Sequence, residues 1–306
     1  MSRYSKPEKI TDFSIHPDTK ITSLSLTVSN LEKQIAFYEQ MLGFQLLSRE
    51  AKQAHLGIGS RELIHLVEET DTKRYQRVTG LYHFAILLPN RRELARSMAR
   101  LFSAQYPNSP TDHILTKTTY LDDPEGNGIE LYAESPEDGD WFMDEDSFYA
   151  RRSDGSLSNG REALDLDELF SHLKKDEEMD LPISQETRIG HMHIHVRNIA
   201  EAVDFYHGVL GFDVMGKSAA MRAAFLSAGG YHHHIGLNIW QGEGAPGPPP
   251  DALGLRHFSI GLPDQSALDA VIARVDAAGI PANQLDQGLL LADPSQNGVL
   301  LINNNS

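Results

Sequence analysis

No cysteine occurs among the 306 residues, which excludes disulfides, thiolate ligands and a cysteine nucleophile. Any metal must then be held by imidazole and carboxylate. Basic side chains are scarce, 27 against 43 acidic ones, and the formal net charge of −16 argues against a polyanionic partner. Nucleic acid and an anionic membrane surface are therefore not expected partners, and a small molecule is. Long apolar runs are missing too. None reaches the roughly 18 residues of a membrane span, and the opening MSRYSKPEKI has no apolar core of a signal peptide. The expectation is a cytoplasmic protein with no membrane association, and a homo-oligomer is compatible with it. The length suits two domains with well-buried cores. Fourteen histidines are present, and they are the residues to follow.

The chain repeats itself. ITSLSLTVSNLEKQIAFYEQMLGF at 21–44 returns as IGHMHIHVRNIAEAVDFYHGVLGF at 189–212, with Phe37 matching Phe205 and Gly43 matching Gly211 at a constant offset of 168. A second pair begins GLYHFAILLPNRREL at 80–94 and GLRHFSIGLPDQSAL at 254–268. Its members run on to DDPEGNGIELY at 122–132 and ADPSQNGVLLI at 292–302. Each of these four units opens with an alternating strand, a cap residue (Asn30, Asn90, Asn198 or Asp264) and an amphipathic helix, followed by further short strands. Such units predict an α+β fold of four βαβββ modules with cupped mixed sheets. The division expected is a first domain at 20–135, an acidic linker with one helix at 136–187, and a second domain at 188–303.

Strand parity separates packing from chemistry. Leu24, Leu26 and Val28 and their counterparts in the other opening strands share one face, which must lie under the helices. The opposite face carries Ser23, His83, His191 and His257 at one equivalent position. A single inward histidine is ordinarily a hydrogen-bonded core imidazole, but recurrence at one register points to metal ligands. In the closing strand of the second unit Glu130 faces the same way, where an ionised carboxylate is costly unless it is paired or coordinated. The fourth unit has Leu300 at that place and the first has His65.

The four units resemble the modules of the vicinal-oxygen-chelate superfamily, which holds glyoxalases, fosfomycin-resistance proteins and type I extradiol dioxygenases. The segments GLYHFAILLP, DPEGNGIELYAE, IGHMHIHV and GGYHHHIGLNIW are most similar to four-module bacterial proteins of the catechol 2,3-dioxygenase type. That resemblance implies two histidines from opening strands and one glutamate from a closing strand around iron(II), with manganese(II) or another divalent metal as substitutes. The family's usual pairing of modules three and four would supply His191 and His257 but Leu300 in place of the carboxylate. Pairing modules two and three supplies His83, Glu130 and His191, and this is the set expected. Tyr120 stands ten residues before Glu130, as the family's active-site tyrosine does. His233 and His234 match its His-His pair, which makes His234 the expected acid/base, and His113 corresponds loosely to a third histidine. The implied activity is extradiol cleavage of catechol or a substituted catechol by O2, in aromatic catabolism. A glyoxalase-like or epoxide-opening metalloenzyme, or a metal-free small-ligand binding module, are the other readings of the same fold.

Overall fold

The computed structural model describes residues 13–143 and 148–304. The segment MSRYSKPEKI lies outside them. Module one comprises β1 (Lys20–Val28), α1 (Leu31–Gln40), β2 (Gln45–Arg49), β3 (Gln53–Ile58) and β4 (Arg61–Glu68). Module two comprises β5 (Gly80–Leu88), α2 (Arg91–Ser103), β6 (Ser109–Asp112), β7 (Thr116–Asp122) and β8 (Gly128–Glu134). Between the halves come β9 (Gly139–Met143), β10 (Phe148–Arg152), β11 (Leu157–Ser158) and α3 (Leu166–Ser171). Module three has β12 (Arg188–His195), α4 (Ile199–Val203) running into a π-helical turn (Asp204–Val209), then β13 (Asp213–Ser218), β14 (Ala223–Ser227) and β15 (Ile235–Asn238). Module four has β16 (Gly254–Leu262), α5 (Gln265–Ala277), β17 (Ala282–Leu285), β18 (Gly288–Ala292) and β19 (Gly298–Asn303).

The local chemistry explains these limits. Asn30, Asn90, Asn198 and Asp264 each accept a hydrogen bond from the backbone N–H three residues on, satisfying one donor of the first helical turn. Gly43 and Gly211 end helices in the left-handed region, with φ of 75° and 90°. The two Asp-Pro-x-x-Asn loops are structural. Asp123 accepts from the N–H groups of Glu125 and Asn127 and from the Tyr38 hydroxyl, and Asp293 does the same with Ser295, Asn297 and Tyr206. Each loop is thereby tied to the helix of the preceding module.

Strand pairing crosses the expected domain boundary. One eight-stranded sheet has the order β17-β18-β19-β16-β1-β4-β3-β2 and the other β13-β14-β15-β12-β5-β8-β7-β6. Module one therefore shares a sheet with module four, and module two with module three. The segments 20–135 and 188–303 each contribute half of both sheets, so the sheets do not follow the division expected from the sequence. The apolar faces of both sheets meet the helices in one continuous core.

The segment 136–187 also does more than link. Besides the expected helix it forms a three-stranded sheet in the order β11-β10-β9, and Glu162 bridges Asp112 on β6. It is thereby held against the sheet of modules two and three.

At each central antiparallel pair the register slips twice. In β12 and β5 the extra residues are Gly190 and Tyr82, one place before His191 and His83. In β1 and β16 they are Thr22 and Arg256, one place before Ser23 and His257. A bulge bends the strand and re-aims the next side chain. Gly190 leaves room for this, since a Cβ there would lie 1.8 Å from the Tyr132 hydroxyl oxygen.

Candidate metal centre

His83 on β5, Glu130 on β8 and His191 on β12 converge across the middle of one sheet. His191 Nε2 lies 3.1 Å from Glu130 Oε2, His83 Nε2 lies 3.2 Å from the same oxygen, and the two imidazole nitrogens are 3.4 Å apart. All three are buried, at 5%, 4% and 2% exposure in chain order. Strand pairing sets the spacing. Ala85 pairs with Glu130 and with His191, so the carboxylate and the second imidazole flank one β5 position while His83 sits two residues before it. The Thr118 hydroxyl donates to Glu130 Oε1 at 2.7 Å and fixes the carboxylate, leaving Oε2 to face both imidazoles. Bonds of about 2.1 Å from one ion would put neighbouring ligand atoms about 3.0 Å apart in octahedral and about 3.4 Å in tetrahedral geometry. The observed triangle fits a first-row divalent metal, and its two nitrogens and one oxygen are the donors such an ion takes.

Burial alone would push the Glu130 carboxyl up, yet the His191 and His83 imidazoles hold it well below the ordinary carboxylate range. Burial dominates at the histidines. It lowers His191 against the pull of Glu130, and it drives His193, His232 and His233 well below their ordinary value. His234 falls to about 3, through burial and then the Arg188 charge. These depressed imidazoles have a direct consequence for acid stability. The unfolded chain takes up protons near pH 6.5 that the folded chain refuses, so stability is lost as pH drops below about 6.5 toward the folded values. His234 alone contributes a slope of about 1.4 kcal/mol per pH unit over that window. Denaturation of metal-stripped protein should show stability falling steeply between pH 6.5 and 4. A flat profile there would mean that these imidazoles are solvated or charged in the folded state.

The triad opens into a cavity of about 560 Å³. His113 and Tyr120 both line it, with His113 Nε2 2.9 Å from the Tyr120 hydroxyl. His113 Nδ1 faces the Gly160 carbonyl at 2.5 Å and must donate to it, and the tautomer with its proton there leaves Nε2 to accept from the Tyr120 hydroxyl. Burial and the Glu130 charge push the Tyr120 phenol well up, while Arg161 pulls the other way. His232 and His233 also line the cavity, with the His233 ring centroid 4.1 Å from that of His191. His232 Nδ1 sits 3.3 Å from Glu134 Oε1, an oxygen that also accepts from the Tyr231 hydroxyl.

His234, expected as the acid/base, does not reach this cavity. Its backbone has already entered the sheet ladder, donating to the Leu226 carbonyl and accepting from the Met192 N–H. Its ring is occupied just before β15, where Nδ1 meets the Ser227 hydroxyl at 3.0 Å and the Ala228 N–H at 3.2 Å. His233 stands at the cavity instead. Sequence reasoning also missed His193, Phe225 and Trp240, and the wall built by Trp141 and Gly160–Ala163 from between the halves. Two signals were available: the inward parity of His193 on the His191 strand, and the aromatic residues inside an otherwise polar 136–187.

The other sheet does not repeat the site. At the register of Glu130 it holds Leu300 beside β16 and His65 beside β1. His65 is spoken for by the Ser25 hydroxyl and the Gln53 side chain, and burial lowers both it and His257 to about 4. His55, Glu62 and His65 do cluster, but the two rings stack at 4.3 Å and 6°. Parallel rings send their in-plane lone pairs into separate planes, so both cannot face one ion.

The model of the Glyoxalase/Bleomycin resistance protein/Dioxygenase superfamily matches residues 20–131 and 188–285. The chain belongs to this superfamily. Among superfamily relatives, a catechol-2,3-dioxygenase of Bacillus subtilis (strain 168) is 40% identical over 284 residues, covering 92% of this chain and 96% of that protein. A lactoylglutathione lyase of Neisseria meningitidis (serogroup B, strain MC58) is 28% identical over 116 residues, 35% of this chain and 84% of the lyase. The solved structure of a putative dioxygenase from Bacillus subtilis superimposes with a TM-score of 0.63 at 13% identity, covering 96% of this chain and 87% of that one. Glyoxalase I from Zea mays gives 0.53 at 16%, covering 94% and 93%. At these identities the two structures speak for the superfamily fold alone. Since superfamily members bear both dioxygenase and lyase names, the cavity must decide between them.

Proposed function

We propose that this protein is an extradiol dioxygenase that opens the ring of a vicinal aromatic diol with O2 at a divalent metal, iron(II) in the working enzyme, held by His83, Glu130 and His191. The carrying observation is the tight triangle of three ligand atoms on the wall of a 560 Å³ cavity. Identity of 40% to a catechol-2,3-dioxygenase over nearly the whole chain supports the same reading. The coordination sphere stays open. Register places Gly236 opposite His193 as Glu130 is opposite Ala85, so no second carboxylate completes the set, and a Cβ at Gly236 would press on the His193 ring at 2.9 Å. Two imidazoles and one carboxylate with free positions are the donor set of iron(II) oxygenases.

Bound there, iron(II) would relay electrons from the diol to O2 and offer the shared positions at which the two meet. The protein's own groups handle protons and shape. His233, kept neutral by burial, is a base for one diol proton and can return it to the opened product. The Tyr120 oxygen can accept a second proton while its own passes to His113 Nε2, a transfer that the Gly160 carbonyl prepares by fixing the His113 tautomer. Both oxygen atoms of O2 end in the product. The test is to load the protein with iron(II) anaerobically, add catechol and admit oxygen. One O2 consumed per yellow ring-fission product is the expected result. A colourless product, or isomerisation of a glutathione hemithioacetal without oxygen uptake, would overturn it.

A further inference from the structure

We propose that the cavity selects diols whose ring carries a carboxylate substituent, and that Arg161 selects them. This rests on the ring-cleaving reading of the same site. Arg161 lines the cavity from the segment between the halves. The backbone around it is locked. The Gly160 carbonyl meets His113 Nδ1, the Arg161 N–H donates to Asn159 Oδ1 at 2.9 Å, and Glu162 exchanges two backbone hydrogen bonds with Asp112. The Glu162 carboxylate is occupied by Arg152 and by the Ser158 hydroxyl. Among the described residues, none forms an ion pair or hydrogen bond with the Arg161 guanidinium. A rigid turn thus holds an arginine at the wall and leaves its five donors for something else.

The other charged groups of the wall are committed, Glu130 to the two imidazoles and Glu162 to Arg152. Much of the remaining wall is aromatic: Tyr82, Trp141, His193, Phe225 and Trp240. That surface suits a ring, and the guanidinium suits a planar oxyanion that it can grip with two parallel hydrogen bonds. A neutral catechol leaves this cation with water alone. Because Arg161 is exposed, the expected gain is moderate, about tenfold in apparent affinity.

The test compares 3,4-dihydroxyphenylacetate, 4-methylcatechol and dopamine as substrates of the iron-loaded protein. Wild type should favour the carboxylate over the neutral diol by about tenfold in kcat/KM, carried by KM. Arg161→Gln should bring that ratio close to one, and Arg161→Glu should turn the preference toward dopamine. An undiminished preference in Arg161→Gln overturns the proposal. So does an equal loss on all three diols, which would make Arg161 serve the diol oxygens. A second readout needs no turnover: calorimetric binding of 4-hydroxyphenylacetate against 4-methylphenol to wild type and Arg161→Gln. If no diol is opened, the ring-cleavage reading fails, and charge selection is then decided by this comparison. A carboxylate preference lost in the variant upholds it, and no preference in wild type ends it.

Discussion

Glu130→Gln should strip the protein of metal and of activity together. The amide keeps the volume of the carboxylate and can still accept from the Thr118 hydroxyl, so the fold should survive. What goes is the negative charge facing His83 and His191. Changes that merely disturb a ligand's support cost 10–100-fold in metal affinity, so loss of the ligand charge should cost on the order of 100-fold or more. Turnover at limiting iron should fall with occupancy, and excess iron should restore part of it. Metal analysis after gel filtration, alongside far-ultraviolet circular dichroism, reads both quantities. A variant that keeps a full equivalent of iron would move the site elsewhere, and His191, His232 and His233 are the neighbouring cluster to examine first.

His233→Gln should slow turnover by roughly 10²–10⁴-fold, the range for losing a positioned acid/base, while iron content stays at the wild-type level. His234→Gln should do the opposite. Its ring is buried and bonds Ser227 and Ala228 outside the cavity lining, so the cost falls on stability, about 1–3 kcal/mol, with kcat close to wild type. Single-turnover kinetics and urea denaturation of both variants separate the two roles. If His234→Gln is the slow enzyme and His233→Gln the wild-type-like one, the roles are reversed. If His233→Gln loses its iron, His233 is a ligand.

These two residues show where reading the sequence reaches its limit. The repeat, the helix caps and the inward parity of His83, His191 and Glu130 follow from local periodicity, and the structure brings those three residues together. Choosing among His232, His233 and His234 requires knowing where the turn after β14 ends and the ladder of β15 begins, because alternation has no phase inside a turn. Here the ladder already holds His234. Glu130 against Leu300 told which modules could share a site, but no local signal told that both sheets would cross the halves. That choice is made by strands more than a hundred residues apart. The polar composition of 136–187 likewise concealed a wall, since a surface facing a cavity needs only a few residues such as Trp141 and Arg161.

The crossing of strands between halves also sets an order of events during folding. His83 and Glu130 are made first, and His191 follows 108 residues after His83. Until the later strands arrive, β1 and β5 present bare edges that invite pairing with other chains. The site joins strands more than a hundred residues apart, and such contacts form slowly because a long loop must close before they repay it. Metal capture must then follow assembly of the sheet. An ion bound there would hold the two ends of that long loop together, so that for this chain the metal would act as a clasp on a completed fold as well as a reagent.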